Sequence, residues 1–259
     1  MKLGNYEFSP KPWATLLFVA LFLCMLSLAN WQLDRAALKV SMQASTEKAM
    51  NAVAEPISAV EDLRAAATRY QRVQVQGAYD PDRQFLWDNR THKGQAGYEV
   101  ISVLALDDGR NVLVNRGWLP PGASRQELPD ISIESSVLSN AVTLEGFLST
   151  PSKGFASGNA VTGGDGWPKL LQYFDYDAVS EVLGEAILPV VVQAQALSID
   201  ATSPLVLTSR PEWLAANWQP AASGPAKHYS YAFQWFAMAV ALTGIFGIVN
   251  TRKLVENHV

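Results

Sequence analysis

His228-Tyr229-Ser230-Tyr231-Ala232-Phe233-Gln234-Trp235-Phe236 opens the last long apolar run of the chain, which continues to Val249 and closes with Asn250-Thr251-Arg252-Lys253. Between Tyr231 and Val249 no residue is charged. At about 1.5 Å rise per residue those nineteen positions extend roughly 28 Å, close to the thickness of a bilayer's hydrocarbon core. Tyr229, Tyr231 and Trp235 at one end are the amphipathic rings favoured at headgroup level, and Arg252 and Lys253 close the other end. Residues 231–249 therefore read as a transmembrane helix, with 250–259 as a tail.

A second uncharged run, Trp13 to Trp31, follows a polar segment 1–12 and reads as another transmembrane helix, residues 13–31. A cleavable signal peptide is its rival, because Leu16 to Leu26 has the length of an h-region and Ser27 and Ala29 suit a signal peptidase. Between the spans lies one domain, residues 32–230. Basic residues near the spans divide evenly. Lys2, Lys11, Arg252 and Lys253 lie on the terminal sides, and Arg35, Lys39, Lys48 and Lys227 on the domain side. A long loop crosses a membrane largely regardless of its charge, so the terminal pairs decide the orientation. Both termini are expected in the cytoplasm and the domain in the periplasm. No Arg-rich, Ser-rich presequence precedes the first span, which favours a bacterial inner membrane over a mitochondrial one.

Composition removes several classes of function. A net charge of -4 gives no basic footprint for nucleic acid. Cys24, the single cysteine, lies within the first apolar run, so neither a disulfide framework nor a Cys-x-x-Cys site exists within one chain. A copper chaperone needs thiols or clustered Met and His, whereas the five Met are scattered. No Gly-x-Ser-x-Gly elbow, His-Glu-x-x-His or phosphate loop occurs, and Gly154 to Gly158 has its serine at the wrong position for an elbow. The chain reads as a non-enzyme.

Within the domain, good helix formers carry the first helix on to about Met50, and Ser58 to Ala67 suggests a short second helix after Pro56. Strand patterns follow at Arg69–Gln76, Gln84–Asn89, Tyr98–Leu106, Asn111–Leu119 and Val142–Leu148. Asp80-Pro81-Asp82 reads as a turn, and Asp107-Asp108-Gly109-Arg110 as a hairpin turn. Ser149 to Pro168 is a Gly-, Ser- and Pro-rich loop. Asp177–Leu183 reads as a helix opened by its Asp and ended by Gly184, Ile187–Ala196 as a buried strand, and Pro204 to Pro225, with Trp213 and Trp218, as irregular. The expected fold is a membrane protein with N- and C-terminal transmembrane helices flanking an α+β periplasmic domain on an antiparallel, partly closed sheet. The helices are expected to pack through Ala20, Cys24, Ala237, Ala241, Thr243 and Gly247.

Four stretches together resemble the Surfeit locus protein 1 family (the Shy type), membrane proteins that assist assembly of haem-copper cytochrome c oxidase. They are Trp31-Gln32-Leu33-Asp34-Arg35 with Lys39, then Gly94-Gln95-Ala96-Gly97-Tyr98, then Val112 to Pro120 with Asn115-Arg116-Gly117-Trp118, and finally His228 to Phe236. Their order and the two-anchor layout cover essentially the whole chain. The family usually has Gly before the Trp-Gln of the first stretch, where this chain has Ala29-Asn30, and Pro after the Gly-Tyr strand, where it has Ser102-Val103.

The resemblance implies an oxidase assembly factor that binds haem a at the outer membrane face and aids its delivery to, or retention in, the catalytic subunit. The implied partners are that subunit, haem a synthase and membrane lipid. His228 matches the family's candidate ligand to the haem iron. Helical spacing puts His228, Tyr231 and Trp235 on one face, and an imidazole among aromatic rings at the edge of an apolar slot suits axial ligation. Trp31 and Arg35 stand at the end of the other span, where Arg35 is placed to reach haem propionates. The plainer readings are an interfacial aromatic belt for His228 and a membrane anchor for Arg35. Asn115, Arg116, Gly117 and Trp118 read as a structural motif, with Arg116 pairing a carboxylate, or else as a partner contact. His92 reads as solvated. The alternative of a different class is a scaffold without haem that stabilises an oxidase subunit during assembly.

Overall fold

The computed structural model describes residues 2–3, 5–122, 128–133, 135–138, 140–151, 158–198 and 224–253. Trp213, Trp218, His258, Gly154 and Ser157 lie outside the described residues. In chain order the elements are β1 (Lys2–Leu3), β2 (Tyr6–Phe8), α1 (Pro12–Met50), β3 (Glu55–Pro56), a 3-10 turn (Ile57–Ala59) and α2 (Leu63–Thr68). Next come β4 (Arg72–His92), β5 (Gln95–Leu106), β6 (Asn111–Leu119), α3 (Ser135–Leu138) and β7 (Val142–Ser149). The chain ends with β8 (Val161–Thr162), β9 (Lys169–Leu171), α4 (Tyr176–Leu183), β10 (Ile187–Ser198), α5 (Ala226–Val249) and β11 (Thr251–Lys253). Two compact units result, one of residues 1–44 with 221–259 and the other of residues 45–220.

In the first unit, α1 and α5 are the two helices long and apolar enough to cross a membrane, and little of either apolar stretch is buried by protein. Proline stands at the first position of α1, where its missing N–H costs nothing, and no Gly or Pro interrupts the 39 residues. Among the sheltered positions, Phe18, Phe22, Met25, Ala29, Gln32, Ala36 and Lys39 form one row on α1, and His228, Ala232, Trp235, Ala239, Leu242 and Phe246 form one on α5. Both sets step by alternating threes and fours, the spacing of left-handed helix pairs. Phe18 stacks on Phe246 with ring centroids 4.3 Å apart, and Gln32 meets His228, so the helices run antiparallel.

The small residues in this seam are Ala29, Ala36, Ala232 and Ala239, the buried residues of the two helices. Ala20, Cys24, Ala237, Ala241 and Thr243, expected to mediate packing, are exposed instead, and Gly247 is half-buried. Small size permits close approach, but the helical phase decides which small residues face the partner. Beyond the helices, β2 pairs with both β1 and β11, setting Phe8 across from Thr251 and Glu7 across from Arg252. The sequence gives no hint that the two terminal segments join in a sheet.

The second unit is built on a sheet of the order β5-β6-β10-β7-β4-β9-β8, and β4 also pairs with β5. Among the described strands, β4, β5, β6, β10 and β7 thus close into a ring. The sheet is mixed rather than antiparallel, because β3–β4, β4–β9 and β6–β10 are parallel pairs. Direction explains the pair within the ring. β5 is antiparallel to β4 and β6 to β5, so β6 runs with β4, while β7 runs against β4. A strand inserted between β6 and β7 must be parallel to one of them. More generally, a ring of five cannot alternate direction all the way round.

Both faces of this sheet are covered. Along β6, Val112 and Val114 join the cluster of Ala66, Val75, Leu144 and Val192, while Leu113 joins Phe85, Phe174, Val179 and Val191. That explains why β5 and β6 read as nearly continuous apolar runs. α2 supplies Ala66 and Ala67 to the first cluster, and α4 supplies Val179 and Leu183 to the second. The N-cap of α4 is Asp175, whose side chain accepts from the Ala178 amide, two residues before the Asp expected to open it. The second helix is also shorter than expected, with Asp62 capping a start at Leu63 and a 3-10 turn over Ile57–Ala59.

Asp80-Pro81-Asp82 does not reverse the chain. It is a bulge inside the single long strand β4, marked by a register shift between Tyr79 and Gln84. Asp80 Oδ1 accepts from the amides of Asp82 and Arg83, and Oδ2 accepts from Arg83 Nε at 2.6 Å. Burial works against the Asp80 carboxylate, but these hydrogen bonds outweigh it and hold its pKa below the ordinary carboxylate value. Arg83 goes on to the Leu183 carbonyl and Glu185, tying the bulge to the end of α4.

Candidate functional site

His228 sits in the first turn of α5, half-buried, on the face that meets α1. Its Nδ1 is 2.8 Å from Gln32 Oε1. An amide oxygen only accepts, so Nδ1 carries the proton in this contact and the lone pair of the neutral ring resides on Nε2. That is the arrangement in which a histidine can ligate a metal while its second nitrogen is held in place. Gln32 was not singled out from the sequence as a site residue. The available signal was its place beside Trp31 in the first family-like stretch, and its position four residues before Ala36 and three after Ala29 on the seam.

The other residues of this end differ in setting. Trp235, two turns after His228, is half-buried on the same face, whereas Tyr231 is 51% exposed and stands at the edge of that face. On α1, Trp31 is 49% exposed, and the guanidinium of Arg35 lies 5.7 Å from the centre of its ring. The Gln32–His228 contact sets Trp31 and Arg35 within one helical turn of the height of the imidazole. This end thus brings together one imidazole whose Nδ1 is held by Gln32, the rings of Trp31 and Tyr231 within about a turn of it, and the Arg35 cation beside Trp31. Among the described residues no group of three His, Cys, Asp or Glu gathers to hold a metal ion.

Asn115-Arg116-Gly117-Trp118 lies in the other unit, in β6. Opposite it the register slips, with Val100 facing Gly117 and Ile101 facing Asn115, so Arg116 is the extra residue of a bulge. Gly117 has φ 142, a conformation that a side chain disfavours. Asn115 Nδ2 donates to Glu99 Oε2 at 2.7 Å, and its Oδ1 accepts from the Gly117 amide. The buried Glu99 carboxylate is held from its other oxygen by Arg90 Nε at 3.1 Å. Arg116 donates to Gln84 Oε1 and the Ile131 carbonyl.

Trp118 Nε1 donates to the Arg90 carbonyl at 2.8 Å, and its indole occupies the space that a side chain on Gly97 would need. His92, expected to be solvated, is half-buried, with its ring 5.0 Å from that of Trp118. The second and third family-like stretches therefore meet in space, Gly97 beneath Trp118. Asn115 and Trp118 tie β6 to β5 and β4 through their side chains.

The chain as a whole is similar to known proteins. Residues 19–240 match the model of the SURF1 family. Uncharacterized SURF1-like proteins of Mycobacterium bovis and of two strains of Mycobacterium tuberculosis are each 28% identical over 119 residues, covering 44% of this chain and 44% of the relative. The aligned part is thus less than half the length of those relatives. With the family model reaching into both apolar helices and covering the sheet that lies between them in sequence, the chain belongs to the SURF1 family, which is associated with assembly of cytochrome c oxidase.

Proposed function

We propose that this chain is an assembly factor for haem-copper cytochrome c oxidase that binds haem a through His228 and passes it to, or holds it in, the catalytic subunit. The observation that carries the reading is the contact of His228 Nδ1 with Gln32 Oε1, which leaves Nε2 as the donor. Trp31, Tyr231 and Trp235 offer apolar and aromatic surface to a macrocycle, and Arg35 a cation to its propionates. Haem a supplies the iron for one-electron and oxygen chemistry in the oxidase. The chain's own part is to ligate, orient and shield it.

Topology completes the proposal. With Lys2, Lys11, Arg252 and Lys253 at the outer ends of the spans, both termini belong in the cytoplasm and residues 45–220 in the periplasm of a bacterium. His228 then stands at the periplasmic face of the inner membrane. The catalytic subunit, and haem a synthase as donor, are the partners of such a protein. Reporter fusions at Gly109 and at either terminus test the orientation.

The test of function is spectral and genetic. Protein purified from cells that make haem a is expected to carry a Soret band, and His228→Ala to change its ligation and spin state. Deleting the gene is expected to lower oxidase activity and oxidase-bound haem. Unchanged spectrum and haem content in His228→Ala would overturn the ligand and leave the haem-free scaffold ahead. A normal oxidase in the deletion strain would end both readings.

A further inference from the structure

At the end of the helix pair that carries both chain termini, α1 and α5 line a groove of about 430 Å3. Leu17, Leu21, Leu242 and Ile245 form an apolar floor, and Lys11 and Arg252 stand at the mouth. Trp13 and Leu21 both line it, so it runs about 12 Å along α1. The groove is therefore charged at one end and apolar over its depth.

Among the described residues the charge at the mouth is positive in balance. Lys11, Arg252 and Lys253 stand against Glu7, which lies directly across from Arg252 in the β2–β11 pairing. The first turn of α1 holds no acidic side chain, so the positive end of that helix adds to the basic residues. Two of the last carbonyls of α5 are engaged in hydrogen bonds. Phe246 accepts from the Asn250 amide and Nδ2, and Gly247 accepts from Thr251 Oγ1 at 2.6 Å.

We propose that this groove binds one anionic phospholipid, with its phosphate between Lys11 and Arg252 and one acyl chain laid along the apolar floor. A free phosphate would leave the floor bare, and a zwitterionic lipid would leave the excess positive charge unmatched. Basic pockets between transmembrane helices suit anionic headgroups for the same reason. The site involves neither His228 nor Arg35, so it stands independently of haem binding.

Native mass spectrometry of the full chain released from detergent tests the proposal, with phosphatidylglycerol and phosphatidylcholine of identical acyl chains added in equal amounts. Phosphatidylglycerol is expected to be retained about tenfold more strongly. The double variant Lys11→Gln with Arg252→Gln is expected to lose the preference, and Lys11→Arg to keep it. Ile245→Trp, which fills the floor, is expected to lower retention of both lipids, with circular dichroism checking that each variant keeps its helices. Equal retention of the two lipids, a preference that survives the double variant, or equal displacement by inorganic phosphate would overturn the proposal. A dimer abolished by Ile245→Trp would assign the groove to a second copy of the chain instead.

Discussion

Gly97 on β5 lies beneath the indole of Trp118 on β6, so close that a Cβ there would stand 2.6 Å from Trp118 Cζ2 and closer still to the Leu119 carbonyl oxygen. The backbone oxygen cannot yield without breaking the β5–β6 pairing of Tyr98 with Leu119. Gly97→Ala is expected to destabilise the protein by about 1–3 kcal/mol. Gly166→Ala, where nothing lies within 4 Å, is the control and is expected to change stability by less than about 0.5 kcal/mol. Thermal unfolding followed by tryptophan fluorescence in detergent compares them.

Asn115→Asp replaces an amide that donates to buried Glu99 by a second carboxylate. The two carboxylates repel at that separation, and Arg90 offsets only part of this, so the folded variant favours taking up a proton at the pair. A group whose folded pKa is raised binds its proton more tightly when folded, so the variant gains stability as pH falls through that value and loses it as pH rises. The expected penalty at pH 8 is on the order of 3 kcal/mol, shrinking toward pH 5. A melting temperature deficit that does not change with pH would contradict this.

Asp80 gives the opposite slope. Its folded pKa lies below the ordinary value, so its contribution is complete above the unfolded pKa, near 4, and is lost as pH falls through the folded one. Acid unfolding of the wild type is expected to include this loss. Asp80→Asn keeps an acceptor for the Asp82 and Arg83 amides but cannot titrate. It should be less stable than wild type at pH 7, with the difference narrowing on acidification.

At the proposed haem site the order of effects is the prediction. His228→Ala should lower haem retention most. Gln32→Leu, which keeps the ligand but releases its Nδ1, should come next and broaden the ligation spectrum. Arg35→Ala should cost least, about 0–1 kcal/mol, because Arg35 is exposed. Retention in Gln32→Leu equal to wild type, with an unchanged spectrum, would show that the amide does not orient the ring.

What was legible in the sequence was local. The bounds of β6 follow from its apolar run between the turn at Gly109 and Pro120, and the end of α1 at Met50 follows from helix propensity. The bulge at Asp80 was not legible, because an Asp-Pro-Asp string favours a turn whether the strand reverses or merely bends. Nor was the parallel placing of β10, which depends on the directions of β6 and β7, strands far from it in the chain. The place of His228 at the start of the last apolar helix was legible from the sequence, whereas its contact partner Gln32 was not, because the role of Gln32 lies in a contact across 196 residues.

The position of β10 also bears on how the protein is made. Val114 of β6 pairs with Val192, and Leu144 of β7 pairs with Leu197, so the last strand of the ring fills the gap between two strands synthesised well before it. Until Ile187–Ser198 has emerged, β6 and β7 each present an unpaired apolar edge, the kind of edge that recruits other chains. Such long-range pairing cannot form before its last strand is made, so the two edges stay exposed for the time that synthesis of the intervening chain takes. A chain stopped between Gly184 and Val190 should therefore aggregate rather than hold a partial barrel, and the interval before ring closure is when this protein most needs a holdase of its own.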